Sequence, residues 1–205
     1  GAVESPASAS LARVSLAEAG DDDLVITEIF RDPVATSDTN GEWFEIANVG
    51  PESIALYGLA VADYGGVRFE VNDPLAEIAP GQHLVFGTNG DPATNGGVTV
   101  DIVYSIDDLV LSNTSDELRV FDALRTFDQV WYGPWLPGGP GFSTSLRPEF
   151  SHGEPNVHGI VTWCAATTPF GLGDLGTPGA PNDCPPDGDG DGFWPPEDCD
   201  DADPT

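Results

Sequence analysis

Residues 41–48, with the sequence Gly-Glu-Trp-Phe-Glu-Ile-Ala-Asn, constrain the fold more than any other stretch of the chain. They alternate large apolar side chains with carboxylates and end at a turn signal, Asn-Val-Gly. Alternation at period two places one set of side chains on each face of a sheet, so the stretch is predicted to be a half-buried β-strand. The rest of the chain then has to supply strands that cover its apolar face.

Short stretches of the same kind recur from residue 24 to residue 132. Leu24-Val-Ile-Thr-Glu-Ile-Phe is rich in β-branched residues, and Gly, Pro and Asn-Gly turn signals separate it from the later stretches. No segment of about 12 residues shows the 3.6-residue period of a helix. About nine short strands, spaced roughly every 10 to 12 residues with turn signals between them, predict an all-β protein built as a β-sandwich.

The net charge excludes several classes of partner. The 205 residues include 35 acids and 6 bases, all of them arginine, for a formal net charge of −29. Such a surface repels phosphate backbones and anionic lipids, and no apolar run approaches the ~20 residues of a membrane-spanning helix. The sequence therefore predicts no nucleic-acid partner and no membrane insertion. The acids form either a solvated surface or a set of ligands for cations.

Composition divides the chain into three parts. Residues 1–20 are predicted to be an N-terminal arm or linker, residues 21–182 the β-sandwich, and residues 183–205 an acidic module without an apolar core. Within the first part, Leu11, Val14 and Leu16 lie in a stretch with weak alternation. They are a candidate assembly arm that adds a strand to a neighbouring copy's sheet edge, against the simpler alternative of a flexible terminus.

The acidic module carries the clearest chemistry in the sequence. With Asp187 as position 1, aspartates follow at positions 3, 5 and 12 and glycine at position 6, which is the spacing of a calcium loop. A hard cation takes roughly six to eight oxygen ligands. The predicted ligands are Asp187, Asp189, Asp191, the carbonyl of Phe193, Asp198, Asp200 and Asp201. A Pro-Pro pair inside the loop excludes an EF-hand helix. Calcium is the predicted cofactor, and a solvated acidic extension is the alternative.

Three cysteines, Cys164, Cys184 and Cys199, lie in the last quarter of the chain, where turn-forming residues dominate. Such placement is typical of a disulfide in an oxidising compartment. A bond between Cys164 and Cys184, which we favour, would anchor the acidic module to the sandwich and contribute about 3 kcal/mol in the chain-entropy model. A bond between Cys184 and Cys199, which would close the calcium loop itself, stays open as the rival pairing.

In their order along the chain, these stretches resemble the lamin tail domain in its bacterial secreted form, over residues 24–182. The resemblance is carried by Leu24-Val-Ile-Thr-Glu-Ile, Gly41-Glu-Trp-Phe-Glu-Ile-Ala-Asn, Leu111-Ser-Asn, Phe127-Asp-Gln-Val-Trp-Tyr and Gly176-Thr-Pro-Gly-Ala-Pro-Asn. It implies an immunoglobulin-like β-sandwich used for binding or display, with no catalytic residues. The acidic module is similar to thrombospondin type 3 and dockerin calcium loops. Together the two resemblances imply a secreted protein of the bacterial cell surface.

The expected function is that of a non-catalytic extracellular structural or adhesion module stabilised by calcium, with self-assembly left open. The alternative is a subunit of an extracellular filament or surface layer whose termini bridge neighbouring copies. Its partners would be calcium ions and a further copy or another surface protein. A carbohydrate-binding accessory domain of a secreted enzyme, using the aromatic side chains near Trp131 and Trp135, ranks below both.

Candidate catalytic and zinc-binding groups find less support in the sequence. Glu42 and Glu45 lie three residues apart on a predicted strand, so they should point to opposite faces and not act as an acid–base pair. His152, His158 and Cys164 have loose spacing for a zinc site. We therefore expect no enzyme activity and ordinary surface histidines.

Overall fold

The structure is a computed structural model, and it describes residues 13–66, 68–150, 162–186 and 188. The strands in chain order are β1 (Arg13–Val14), β2 (Leu24–Phe30), β3 (Trp43–Asn48), β4 (Ser53–Ala55), β5 (Ala60–Asp63), β6 (Arg68–Glu70), β7 (Glu77–Ile78), β8 (His83–Gly87), β9 (Ile102–Val103), β10 (Asp116–Phe121), β11 (Thr126–Tyr132), β12 (Thr144–Leu146), β13 (Trp163–Ala165), β14 (Pro169–Phe170) and β15 (Asp174–Leu175). A one-turn α-helix (Asp38–Gly41) precedes β3, and 3₁₀ turns occupy Leu16–Glu18 and Pro148–Phe150. None of the helices in the described parts is long and apolar enough to cross a membrane.

Two sheets form the body of the protein, which confirms the predicted all-β immunoglobulin-like sandwich. The larger sheet has the order β13-β12-β2-β3-β8-β9, and the smaller one has the order β11-β10-β5-β6. Their facing sides share one apolar core, to which the larger sheet contributes Ile29 and Phe44 and the smaller one Val61, Leu118 and Val130. Burial of this shared face is the main stabilising term, because neither sheet can cover its apolar side alone.

Strand β3 lies between β2 and β8, and all six of its residues are buried. Phe44 faces the shared core, whereas Trp43 packs against Phe30 and Phe170 on the opposite, outer face of the larger sheet. The prediction of a half-buried strand is wrong for this second face. Segments far along the chain cover it, and an alternating pattern within one strand carries no information about them.

A β-bulge in β2 prepares the outer face for polar side chains. The register runs from Ile26 opposite Ile46 to Glu28 opposite Glu45, so Thr27 is the extra residue. The Thr27 hydroxyl and the Glu28 carboxylate both make their hydrogen bonds on the outer side of the sheet. Without the bulge, consecutive residues would point to opposite faces, so the bulge places two polar groups side by side.

The structure places the first described residues differently from the predicted assembly arm. Arg13 and Val14 pair in parallel with β4 of the same chain, and Leu16 is buried in the shared core. Arg125 donates to the carbonyl oxygens of Leu16 (2.7 Å) and Ala19 (2.5 Å). Residues 13–20 therefore belong to the sandwich, which corrects the boundary predicted at residue 20. Leu11, the remaining member of the predicted arm, lies outside the described residues.

Candidate functional site

The outer face of the larger sheet holds a cluster of buried polar groups around Glu28 and Glu45. These two carboxylates lie opposite each other on β2 and β3, and both side chains are inaccessible to solvent. Ser143 and Ser145 lie beside them and are equally buried. A buried carboxylate is costly unless hydrogen-bond donors surround it, so the partners of this pair decide what the cluster can do.

Glu28 accepts hydrogen bonds from groups distant in the sequence. The Ser143 hydroxyl donates to Oε1 in a short contact, and the Ser145 hydroxyl donates to the same atom at 3.2 Å. The backbone N–H of Thr177 donates at 3.0 Å and its hydroxyl at 3.1 Å. Glu28 thus joins β12 to the C-terminal segment across β2.

Glu45 is surrounded in the same way. The Thr27 hydroxyl donates to Oε1 at 2.6 Å, and the backbone N–H of Gly179 donates to Oε2 at 2.7 Å. His83 Nδ1 lies 2.7 Å from Oε1, and the side chain of His83 is 16% exposed. His83 also lines an open cleft of about 450 Å³ together with Asp101. Solvent can therefore reach the edge of the cluster through His83, whereas the carboxylates themselves are sealed.

The segment that seals the cluster is residues 176–186, which we call the strap. It begins with the Gly-Thr-Pro-Gly-Ala-Pro-Asn motif. Asn182 Nδ2 donates to the backbone oxygens of Thr27 (2.7 Å) and Leu146 (2.8 Å). A Cβ added at Gly176 would lie 3.0 Å from both the Glu28 carboxylate and the Phe170 ring, so glycine allows the strap to approach this closely. The motif therefore packs closely against this face of the sheet.

Covalent and polar anchors fix the far end of the strap. Cys184 forms a disulfide with Cys164 of β13. The buried Arg147 donates to the carbonyl oxygen of Pro185 at 2.8 Å. Of the two pairings left open by the sequence, the structure has the one between Cys164 and Cys184. The strap is thus held along its length by carboxylates and at its end by a covalent bond.

Burial makes Glu28 an unusual acid. Desolvation raises the pKa of Glu28 to about 7, and the charge of Glu45 pushes that pKa in the same direction, while hydrogen bonds from Ser143 and Thr177 oppose it. Glu42 belongs to a separate environment, where burial raises its pKa to about 8 although the N–H of Leu111 donates to it at 3.1 Å. Glu42 and Glu45 thus have different partners, and the carboxylate neighbour of Glu45 is Glu28.

We expect stability to fall as the pH rises between about 4.5 and about 7, through the titration of Glu28. Its folded-state pKa lies above the ordinary value of 4.5, so the folded protein holds the proton more tightly than the unfolded chain does. This contribution is complete below pH 4.5 and is lost as the pH rises through about 7. Glu28→Gln should reduce the slope of unfolding free energy against pH by up to ~1.4 kcal/mol per pH unit.

Urea denaturation at pH 5, 6 and 7 measures that slope. The control is Glu70→Gln, which changes an exposed carboxylate by the same chemistry and should keep the wild-type slope. Glu42 contributes in the same direction up to about pH 8 in both variants, so only the difference between variants is diagnostic. Identical slopes in wild type and Glu28→Gln would contradict the assignment.

Several predicted site residues lie outside the described residues. These are the calcium ligands Asp187, Asp189, Asp191, Phe193, Asp198, Asp200 and Asp201, the third cysteine Cys199, and the two histidines His152 and His158. The calcium site therefore stays a prediction. The zinc alternative loses one of its three candidate ligands, because Cys164 forms a disulfide with Cys184. Within residues 13–66, 68–150, 162–186 and 188, the structure has no group of three or more His, Cys, Asp or Glu side chains arranged for a metal ion.

Sequence reasoning missed Glu28, the two serines and the role of the strap. One signal was available, because Thr27-Glu28 interrupts an otherwise apolar strand. A second was the Ser-Thr-Ser run at 143–145. Neither signal says which polar groups meet, since that depends on strand order and on the bulge.

Comparison with known proteins gives a family and a distant structural likeness. The family model described as Lamin Tail Domain matches residues 17–134, more than half of the chain. Among solved structures, a DUF4876 family protein from Bacteroides thetaiotaomicron VPI-5482 aligns with 12% sequence identity and a TM-score of 0.44, covering 78% of this chain and 71% of that one. No curated protein matches. Glu28, Glu45 and His83 lie inside the matched span, and the strap lies beyond it.

Proposed function

Because the chain belongs to the lamin tail domain family, we propose that it is a non-catalytic extracellular module for structure or adhesion, stabilised by calcium. The observation that carries this proposal is the use of the buried carboxylates. Glu28 and Glu45 accept hydrogen bonds from the strap and from neighbouring strands. The hydroxyls beside them are buried as well, so this polar cluster favours rigidity over access by a substrate.

The disulfide supports the extracellular part of the proposal. Disulfides persist in oxidising compartments and are rare in reducing ones. The bond between Cys164 and Cys184 also adds to the mechanical resistance of the fold, because pulling on the chain after residue 184 loads β13 directly.

The calcium part rests on the acidic sequence next to the anchored end of the strap. Asp187, the first predicted ligand, comes two residues after Pro185. The carbonyl oxygen of Pro185 accepts a hydrogen bond from Arg147. Like charges crowded into a short segment repel one another, and a divalent cation relieves that repulsion. Calcium binding next to a covalently fixed strap would therefore stabilise the folded protein as a whole.

Calorimetric titration with CaCl₂ and thermal melting test this proposal. We expect the wild type to bind calcium and to melt at a higher temperature in its presence, because a ligand that binds only the folded state stabilises that state. D187N/D189N/D191N removes three predicted ligands and should lose both responses. D22N/D107N/D108N makes the same charge change at three exposed acids and should keep both.

Light scattering on the same samples distinguishes the two proposed functions, an isolated module and a filament subunit. A calcium-dependent increase in mass that D187N/D189N/D191N abolishes supports a filament or surface-layer subunit bridged through its acidic segment. A constant mass with a calcium-dependent melting temperature supports the isolated module. Equal melting temperatures with and without calcium would contradict the proposal that calcium stabilises the protein.

A further inference from the structure

The outer face of the smaller sheet carries side chains in an ordered grid. Alternation along each strand points Leu118 and Val61 into the core, so their neighbours face outwards. The strand registers arrange the outward-facing residues in three rows. The first row holds Trp131 and Glu117, the second holds Gln129, Arg119, Ala62 and Arg68, and the third holds Phe121, Ala60 and Glu70. Successive rows on one face are about 7 Å apart. The grid therefore spans the length of a short oligomeric ligand.

Two of the six arginines lie in the middle row of this face, and both guanidiniums reach the Phe121 ring of the third row. The guanidinium carbons of Arg68 and Arg119 lie 5.9 Å and 4.6 Å from the centre of the Phe121 ring. Ala62 lies between the two arginines on β5, and its small side chain does not separate them. A guanidinium over an aromatic ring keeps its N–H edges free for further hydrogen bonds.

These two positive charges have no counter-ion among the described residues. Neither Arg68 nor Arg119 has a carboxylate oxygen within 4.0 Å there, although the protein carries 35 acids. The Nε–H of Arg119 is buried, and within the same residues it has no hydrogen-bond partner. Both charges lie against one ring, and an anion beside that ring would be attracted by both.

An exposed aromatic pair lies at the first row of the grid, on the side of the arginine row away from Phe121. Tyr64, directly after β5, is 70% exposed, and its ring centre lies 5.3 Å from that of Trp131, which is 38% exposed. Exposed aromatic rings offer flat apolar faces beside polar edges, which suits a ligand with one apolar and one polar side. The C–H face of a pyranose ring is such a surface.

We propose that this face binds a carboxylated saccharide, a short oligosaccharide that contains uronic acid. A carboxylate of one sugar unit lies beside Arg68 and Arg119, whose planar N–H forks match carboxylate oxygens, and the ring of another unit packs on Tyr64 and Trp131. Gln129 and Glu117 offer hydrogen-bonding groups for the hydroxyls. A neutral sugar leaves the two guanidiniums uncompensated, and an acidic peptide leaves the aromatic pair unused. This site is independent of the calcium site.

Calorimetric titration with hexagalacturonate tests the proposal, with cellohexaose as the neutral probe and hexaglutamate as the acidic peptide. EDTA is present throughout, because calcium would bridge an acidic sugar to an acidic protein. Hexagalacturonate should bind, and the other two should not. Arg68→Gln should weaken binding by about tenfold or more, as expected for a lost charge-assisted hydrogen bond.

The matched control is Arg13→Gln, which removes the same charge from an arginine paired with Glu77 at 3.2 Å. It should change the affinity by about twofold or less, because a remote exposed charge acts weakly. Tyr64→Ala should weaken binding as well, and melting curves establish that each variant is folded. Equal effects of Arg68→Gln and Arg13→Gln, equal binding of hexaglutamate or cellohexaose, or no binding of hexagalacturonate would each overturn the proposal.

Discussion

Replacing both Cys164 and Cys184 with serine is expected to lower the free energy of unfolding by about 3 kcal/mol. The bond joins residues separated by 20 positions, so its loss frees a loop of that length in the unfolded chain. The folded state loses its covalent hold on the strap at the same time, although Arg147 still donates to Pro185. Urea denaturation followed by circular dichroism, without reductant, measures the difference.

Cys199→Ser is the control, since Cys199 takes no part in this bond. It should unfold at the same urea concentration as the wild type. The rival pairing of Cys184 with Cys199 makes the opposite prediction for this control, because Cys199→Ser would then break the disulfide. A Cys199→Ser variant as unstable as Cys164→Ser/Cys184→Ser would therefore contradict the structure.

Glu45→Ala is expected to destabilise the protein by about 3 kcal/mol, since several buried donors lose their acceptor at once. The hydroxyl of Thr27, the N–H of Gly179 and the ring of His83 all contact this carboxylate. The carboxylate is inaccessible to solvent in the folded protein, so these donors have no other acceptor in place. Chemical denaturation at constant pH gives the free energy.

Glu70→Ala is the matched control, because Glu70 is an exposed carboxylate on β6 of the smaller sheet. The variant should stay within about 0.5 kcal/mol of the wild type, as surface substitutions usually do. A cost for Glu45→Ala no larger than that of Glu70→Ala would show that Glu45 does not hold the strap.

Much of the framework could be predicted from the sequence. Alternation and β-branched composition identify β2 and β3, and turn signals at regular spacing indicate a sandwich. The pairing of Cys164 with Cys184 was the favoured alternative and is present in the structure. These inferences succeed because they depend on local periodicity or on short separations along the chain.

The candidate site could not be predicted in the same way. Glu28 receives its hydrogen bonds from Ser143 and Thr177, which lie 115 and 149 residues further along the chain. Which residues meet at such distances depends on strand order and on the bulge at Thr27, neither of which has a sequence pattern of its own. Spacing along one strand drew attention to Glu42 and Glu45, whereas the carboxylate neighbour of Glu45 lies across the sheet.

The N-terminal residues illustrate the same limit. The weak alternation indicated a strand, which the structure has at Val14, but it could not name the partner of that strand, and Leu16 lies in a 3₁₀ turn instead. In the structure the partner is β4 of the same chain, and Leu16 fills part of the shared core. A short edge strand has too few residues for its pattern to distinguish pairing within a chain from pairing between chains.

Native-state hydrogen exchange at the backbone amides of Thr177 and Gly179 tests the central claim most directly. These amides donate to the buried Glu28 and Glu45, so they report whether the strap is closed on the sheet in solution. We predict exchange as slow as that of the central strand β3, because both should open only with global unfolding. Exchange at the rate of an unprotected loop amide would show that the strap opens freely. The two carboxylates would then be accessible to solvent, and the claim that they hold the strap on the sheet would be wrong.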